Sequence, residues 1–168
     1  MNTYYDDIDL NNGQGLASEL VKLLKKKNLK IGFAESCTGG LISAGVVDIP
    51  GASEVFYGSI VSYDNSVKEN CLKVSEDILQ TKGAVSYECA KMMAEGARKA
   101  LNVDIAISVT GVAGPGGGTP EKPVGTVFIG YADKNGSESV VTFSKGDRSE
   151  IRKVTCFKAY KYALSKLG

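Results

Sequence analysis

The sequence predicts an α/β chain, a three-layer α/β/α sandwich around a mixed, mainly parallel sheet of about five strands. Three observations carry this. Helix-period segments separate the first three strand candidates, as crossovers between parallel strands require. An Asn135-Gly136 pair stands between two strand-like runs, the strongest short hairpin signal, and puts an antiparallel edge at the end of the sheet. The 168 residues, 43% hydrophobic and 23% charged, suit one domain with one sizeable core.

Residues Leu16 to Lys27 read as a first helix, because Leu16, Leu20, Val21 and Leu24 share a face and Lys25, Lys26 and Lys27 suit its C-terminal end. Ile31 to Glu35 is a short buried strand, and the TGGLISAGVVDI that follows reads as a helix with small residues for close packing. Tyr57 to Tyr63 is a second strand, with two short helical pieces after it near Ser66–Leu72 and Ser75–Thr81. Ser86 is expected to cap a longer helix to Leu101 that sets Ala90, Met93, Ala94, Ala97 and Leu101 on one face. Asp104 to Thr110 is a third, buried strand. VGTVFIGYAD and ESVVTFS make the hairpin, and a last helix runs from about Arg148 to Leu167. Residues 1–14 are expected to be a polar arm and 15–168 the single domain.

Composition narrows the chemistry. Histidine is absent, which excludes a Ser-His-Asp triad, a Cys-His pair and any zinc site built on imidazole. Cys37, Cys71, Cys89 and Cys156 show no CxxC spacing, so free thiols are expected, with neither metal nor cofactor. Lys+Arg is 20 against Asp+Glu 19, so no broad positive field draws nucleic acid or an anionic membrane. No apolar run approaches the roughly 18 residues of a membrane span. The opening MNTYYDDIDLNNGQG is acidic and polar, unlike a signal peptide, and a cytoplasmic location is expected.

Four segments can carry chemistry. In FAESCTGG, Ser36, Cys37 and Thr38 sit where a strand ends and a helix opens, the place where open α/β sheets collect ligands. The amides of the helix's first turn can hold an oxyanion or phosphate there, with Gly39 and Gly40 clearing the approach. The alternative is that Ser36 or Thr38 only caps the helix. In SYDNSVK, Tyr63 closes the second strand and Lys68 follows about one helical turn later, within reach of the same edge. A lysine made neutral by burial can replace histidine as base; the alternative is a surface lysine and a strand-end aromatic.

The glycine-rich TGVAGPGGGTPEKPVG, Thr110 to Gly125, lacks the GK[ST] of a P-loop and leads into a strand, yet its amides can face an anion or carbonyl. It could equally be a plain crossover loop. In GDR, Arg148 could clamp a phosphate, or Asp147 could simply cap the last helix.

Taken in order, AESCTGG, YDNSVK, GAVS, SVTGVAGPGGGTPEKPVGTV and FSKGDRSEIR resemble the blocks of the CinA C-terminal domain family, the nicotinamide-nucleotide amidohydrolases, over roughly Leu16 to Leu167. The resemblance implies an α/β/α fold and cleavage of the carboxamide of nicotinamide mononucleotide to nicotinate mononucleotide and ammonia. It implies Ser36 as nucleophile, with Lys68 and Tyr63 as activating partners. Cys37, Thr38, Gly39, Thr110, Gly111, Gly114, Gly116 and Gly117, with Arg148, are then expected to bind the substrate. A small-molecule nucleotide is the expected partner, and a homodimer the expected assembly. Some relatives carry this domain behind a larger one resembling molybdopterin-binding proteins, and activity belonging to that domain is not expected here. Two other readings stand beside this one: a non-catalytic nucleotide-binding regulatory module, and a cysteine hydrolase using Cys37.

Overall fold

In the computed structural model, which describes residues 13–168, the strands β1 (Ile31–Glu35), β2 (Phe56–Val61), β3 (Ile105–Gly111), β4 (Thr126–Asp133) and β5 (Gly136–Phe143) form one sheet in the order β2-β1-β3-β4-β5. Most of the polar arm assigned to residues 1–14 lies outside the described residues. β2, β1 and β3 pair in parallel, while β4 runs antiparallel to both β3 and β5. The sheet is therefore mixed, with its antiparallel pairs at the end where the Asn-Gly hairpin was expected.

Helices α1 (Gly13–Lys27), α2 (Leu41–Val47) and α6 (Arg148–Leu167) cover one face, and α3 (Asn65–Leu72), α4 (Glu76–Thr81) and α5 (Tyr87–Leu101) the other. The strand pleat sorts the core between them. Ile31, Phe33, Ile105 and Ile107 meet Leu20, Leu24 and Tyr160 in one apolar cluster, and Ala34 and Ala106 meet Met93, Ala97 and Leu72 in the other. On the second face α3 and α5 touch backbone to backbone, because a Cβ on Gly96 would stand 1.9 Å from the Leu72 carbonyl oxygen.

The caps explain where the helices start. Ser86 Oγ accepts from the Cys89 amide at 3.2 Å and starts α5. Asp147 and Glu150 form a reciprocal capping box that starts α6. Several limits differ from expectation. α1 begins at Gly13 rather than Leu16, β2 closes at Val61 rather than Tyr63, and α2 begins at Leu41 rather than Thr38. The last shift has a backbone cause: Gly39 and Gly40 adopt φ values of 60° and 103°, which hold residues 36–40 in a turn ahead of the helix.

Candidate active site

β1 passes to β2 through α2 on one face, and β2 passes back to β3 through α3–α5 on the other. The chain thus switches direction between β1 and β3, and the crevice beyond their carboxyl ends is where such sheets bind ligands. Ser36 sits at that point. Its amide donates to the Val109 carbonyl at 3.0 Å, so the residue continues the ladder past the end of β1.

The pleat decides which face each neighbour meets. Ala34 packs toward α5, so Ser36, two residues on, faces the same side. Cys37 turns to the opposite face and is buried in the α1/α2/α6 cluster. Burial pushes its thiol up to about 12, against the opposing pull of Arg152. A thiol held protonated inside the core is a poor nucleophile.

The Ser36 turn is gripped by two residues to which the sequence reading gave no role. The fully buried Glu35 carboxylate accepts from the amides of Gly40, Ile42 and Ser43 at 2.9, 3.1 and 2.9 Å, and from the Thr38 hydroxyl at 2.8 Å. From α6, Arg152 donates to the carbonyls of Cys37 and Thr38 at 3.1 and 2.7 Å.

This corrects two expectations. The start of α2 is already occupied by a carboxylate of its own chain, so it is not open to a substrate anion. Neither Ser36 nor Thr38 caps that helix, because Glu35 does so from within the sheet. The amides of Cys37 and Thr38 lie in the turn, outside the Glu35 set. Gly39 and Gly40 matter for the turn's left-handed backbone, since a Cβ on either would come no nearer than 3.5 Å to a neighbour.

Lys68, in α3, is 1% exposed, which removes the surface-lysine alternative. Its Nζ donates to the main-chain carbonyls of Ser62 and Tyr63 at 2.7 and 3.1 Å, and no carboxylate bonds to it among the described residues. Burial lowers its pKa from the ordinary lysine value, opposed by the thiol of Cys89, the carboxylate of Asp64 and the thiol of Cys37. Among the described residues Lys68 Nζ thus meets two main-chain acceptors and no hydrogen-bonded carboxylate, a setting in which burial favours the neutral amine.

Tyr63 meets Lys68 through its carbonyl, not its phenol. The phenol is exposed and accepts from Arg148 Nη2 at 2.9 Å, while Arg148 Nη1 donates to the Gly114 carbonyl at 2.9 Å. Tyr63 therefore joins Arg148 through its phenol and Lys68 through its carbonyl. Asp147 caps α6, which is the structural reading of the GDR segment.

The glycine-rich segment divides. Gly111 remains in the β3–β4 ladder and Gly114 is buried at the Arg148 contact, whereas Gly116 and Gly117 are exposed farther along the loop. Thr110 is 1% exposed and its hydroxyl donates to the Ala84 carbonyl at 2.7 Å, tying β3 to the loop before α5. Among the described residues no group of three or more Cys, Asp or Glu is placed to hold a metal ion, and no helix is long and apolar enough to cross a membrane.

A family model described as the CinA C-terminal domain matches residues 13–167. The chain belongs to the CinA C-terminal domain family. A competence-damage inducible protein of Thermoanaerobacter sp. (strain X514) is 50% identical over 140 residues, which are 83% of this chain and 34% of that protein. A CinA-like protein of Leptospira interrogans is 60% identical over 117 residues, 70% of this chain and 28% of that one. This chain thus spans about a third of the length of the curated relatives it matches. The crystal structure of the competence/damage inducible protein CihA from Agrobacterium tumefaciens superposes with a TM-score of 0.88 at 37% identity, covering 93% of this chain and 95% of that one. A CinA superfamily protein from Escherichia coli gives 0.90 at 28% identity over 100% and 99%.

In this CinA domain Glu35 and Arg152 each left a faint sequence trace. Glu35 is a carboxylate closing an otherwise apolar strand, and buried charges need partners. Arg152 follows Arg148 by four residues, which sets both on one side of α6.

Proposed function

We propose that this CinA domain hydrolyses the carboxamide of nicotinamide mononucleotide to nicotinate mononucleotide and ammonia through a serine ester. The observation that carries the reading is Lys68: a buried lysine without a carboxylate partner, on the sheet face that Ser36 presents, in a chain without histidine. The family resemblance supplies the substrate.

In this mechanism neutral Lys68 takes the Ser36 proton, and Ser36 Oγ bonds to the carboxamide carbon as the carbonyl electrons move to oxygen. The turn amides of Cys37 and Thr38 stabilise that oxygen. The tetrahedral carbon expels the amine, which leaves as ammonia with the proton returned from Lys68. Water, deprotonated by the same lysine, then cleaves the ester.

Arg148 is the phosphate partner in this scheme. Beyond the donors that Gly114 and Tyr63 accept, its guanidinium has N–H groups to offer. Tyr63 serves twice, with its carbonyl holding Lys68 and its phenol fixing Arg148. Thr110, Gly111, Gly114, Gly116 and Gly117 are assigned to substrate binding in this scheme on the resemblance alone.

Ammonia release from purified protein tests the reading, with nicotinamide mononucleotide, the riboside and free nicotinamide as parallel substrates. Turnover of the mononucleotide in preference to the other two is expected. Tight binding of the mononucleotide without release would instead make the domain a regulatory nucleotide-binding module.

A further inference from the structure

Ser62 is fully buried, and its hydroxyl has no hydrogen-bond partner. A buried hydroxyl left unpaired costs about 1–3 kcal/mol, so one that persists calls for a reason. Its surroundings supply one. The β1–β2 pairing ends at Glu35 opposite Val61, and the Ser62 amide donates to the Glu35 carbonyl at 2.8 Å. One residue further, just past the ends of β1 and β2, Ser36 and Ser62 extend this pairing, whose strands are spaced roughly 4.8 Å apart. By the pleat they share a face with Ala34 and Ile60, the face covered by α3 and α5. The Ser62 carbonyl is also the nearer acceptor of Lys68 Nζ, at 2.7 Å.

Two groups at this spot are thus incomplete. A neutral Lys68 spends both N–H donors on the carbonyls of Ser62 and Tyr63, and its lone pair has no donor. Ser62 Oγ–H is a donor without an acceptor, on the residue that holds the lysine. No hydrogen bond opposes rotation of that hydroxyl about χ1.

We propose that Ser62 is a positioning residue that links Lys68 to Ser36 during the reaction, its hydroxyl turning about χ1 to donate to the lysine lone pair and accept from Ser36 Oγ. The inference rests on the Ser36–Lys68 reading above and adds a third member. As Ser36 Oγ bonds to the carboxamide carbon, its proton moves to Ser62 Oγ while the Ser62 proton moves to Lys68 Nζ. Ser62 ends neutral, Lys68 ends as ammonium, and the carbonyl electron pair resides on oxygen. The reverse shuttle delivers the proton to the amine as the C–N bond breaks and ammonia leaves. Tyr63 is not needed in the relay, which agrees with its phenol being exposed and bonded to Arg148.

The test is a serine-directed fluorophosphonate probe, whose labelling of Ser36 requires no assumption about the natural substrate. Labelling rates are measured for the wild type, Ser62→Ala, Lys68→Met and Ser36→Ala, in water and in water–deuterium oxide mixtures, with thermal unfolding of each. Ser62→Ala is expected to label about a hundredfold more slowly, the lower end of what positioned proton transfer contributes. Its Tm should be unchanged or higher, since an unsatisfied hydroxyl has been removed. The wild-type rate should curve with deuterium fraction, as two moving protons require, and the Ser62→Ala rate should be linear. A Ser62→Ala protein that labels at the wild-type rate, while Lys68→Met is inert, overturns the relay and leaves direct transfer from Ser36 to Lys68. A marked fall in the Tm of Ser62→Ala also overturns it, by showing the hydroxyl to be structural. Wild-type labelling that misses Ser36, or that survives Lys68→Met, overturns the parent reading and the relay together.

Discussion

The Thr38 hydroxyl donates to Glu35 Oε2 at 2.8 Å, one of several bonds by which a buried carboxylate holds the turn carrying Ser36. Removing that carboxylate strands three amides at the start of α2. Glu35→Ala is therefore expected to lose on the order of 3 kcal/mol or more, the scale of a broken buried network. Glu35→Gln keeps some acceptors and should lose less. Chemical denaturation measures both, and a Glu35→Ala protein as stable as the wild type would contradict this role.

Much of this architecture was legible beforehand, for local reasons. Ser86 caps α5, and the Asn135-Gly136 signal falls at the β4–β5 hairpin, whose turn residues are Lys134 and Asn135 with Gly136 opening β5, because each signal acts within a few residues. Ser36 and Lys68 could be proposed from sequence because strand ends and helical spacing place them near one edge. Glu35, Arg152 and Ser62 escaped notice because their meaning depends on partners from other elements. Arg152 reaches carbonyls 114 and 115 residues away, and no periodicity encodes that. The first turn of α2 was misassigned for a related reason: sequence shows a helix start, not which side chain has already filled it.

Lys68 gives a prediction about pH. Its pKa is lowered on folding, mainly by burial, so between the folded and unfolded values the native state binds fewer protons. Stability then rises with pH through that window, and the contribution is lost as pH falls through the folded value. Lys68→Met should flatten this rise in unfolding free energy between neutral and alkaline pH. Wild-type kcat should increase with pH through one ionisation, and Lys68→Arg, which keeps the charge and does not deprotonate, should be inactive at all pH values. Near-normal kcat in Lys68→Arg would make Lys68 a charge anchor rather than a base.

The cysteines should react by burial. Cys71 is exposed, whereas Cys37 and Cys89 are buried, with thiols pushed up to about 12 and about 11 by desolvation. Brief alkylation of the native protein at mildly alkaline pH is expected to modify Cys71 and spare Cys37 and Cys89, leaving activity intact. Mass spectrometry of peptides reads the sites. Rapid modification of Cys37 with loss of activity would revive the thiol as nucleophile.

Arg148 is expected to divide substrates by phosphate. Arg148→Ala should raise KM for the mononucleotide by roughly tenfold or more, the scale of a lost charge-assisted bond, and change riboside turnover little. Because its side chain also bonds Tyr63 and Gly114, Tyr63→Phe is the control for the phenol contact. Equal losses on both substrates would make the arginine structural.

The central claim is that Ser36 forms the covalent bond, and kcat of Ser36→Ala against Cys37→Ala tests it most directly. With nicotinamide mononucleotide, Ser36→Ala should lose about three orders of magnitude or more in kcat, as when a nucleophile is deleted, with unfolding and substrate affinity preserved. Cys37→Ala should remain within a few fold of the wild type. Substantial turnover in Ser36→Ala, with collapse in Cys37→Ala, would contradict the account.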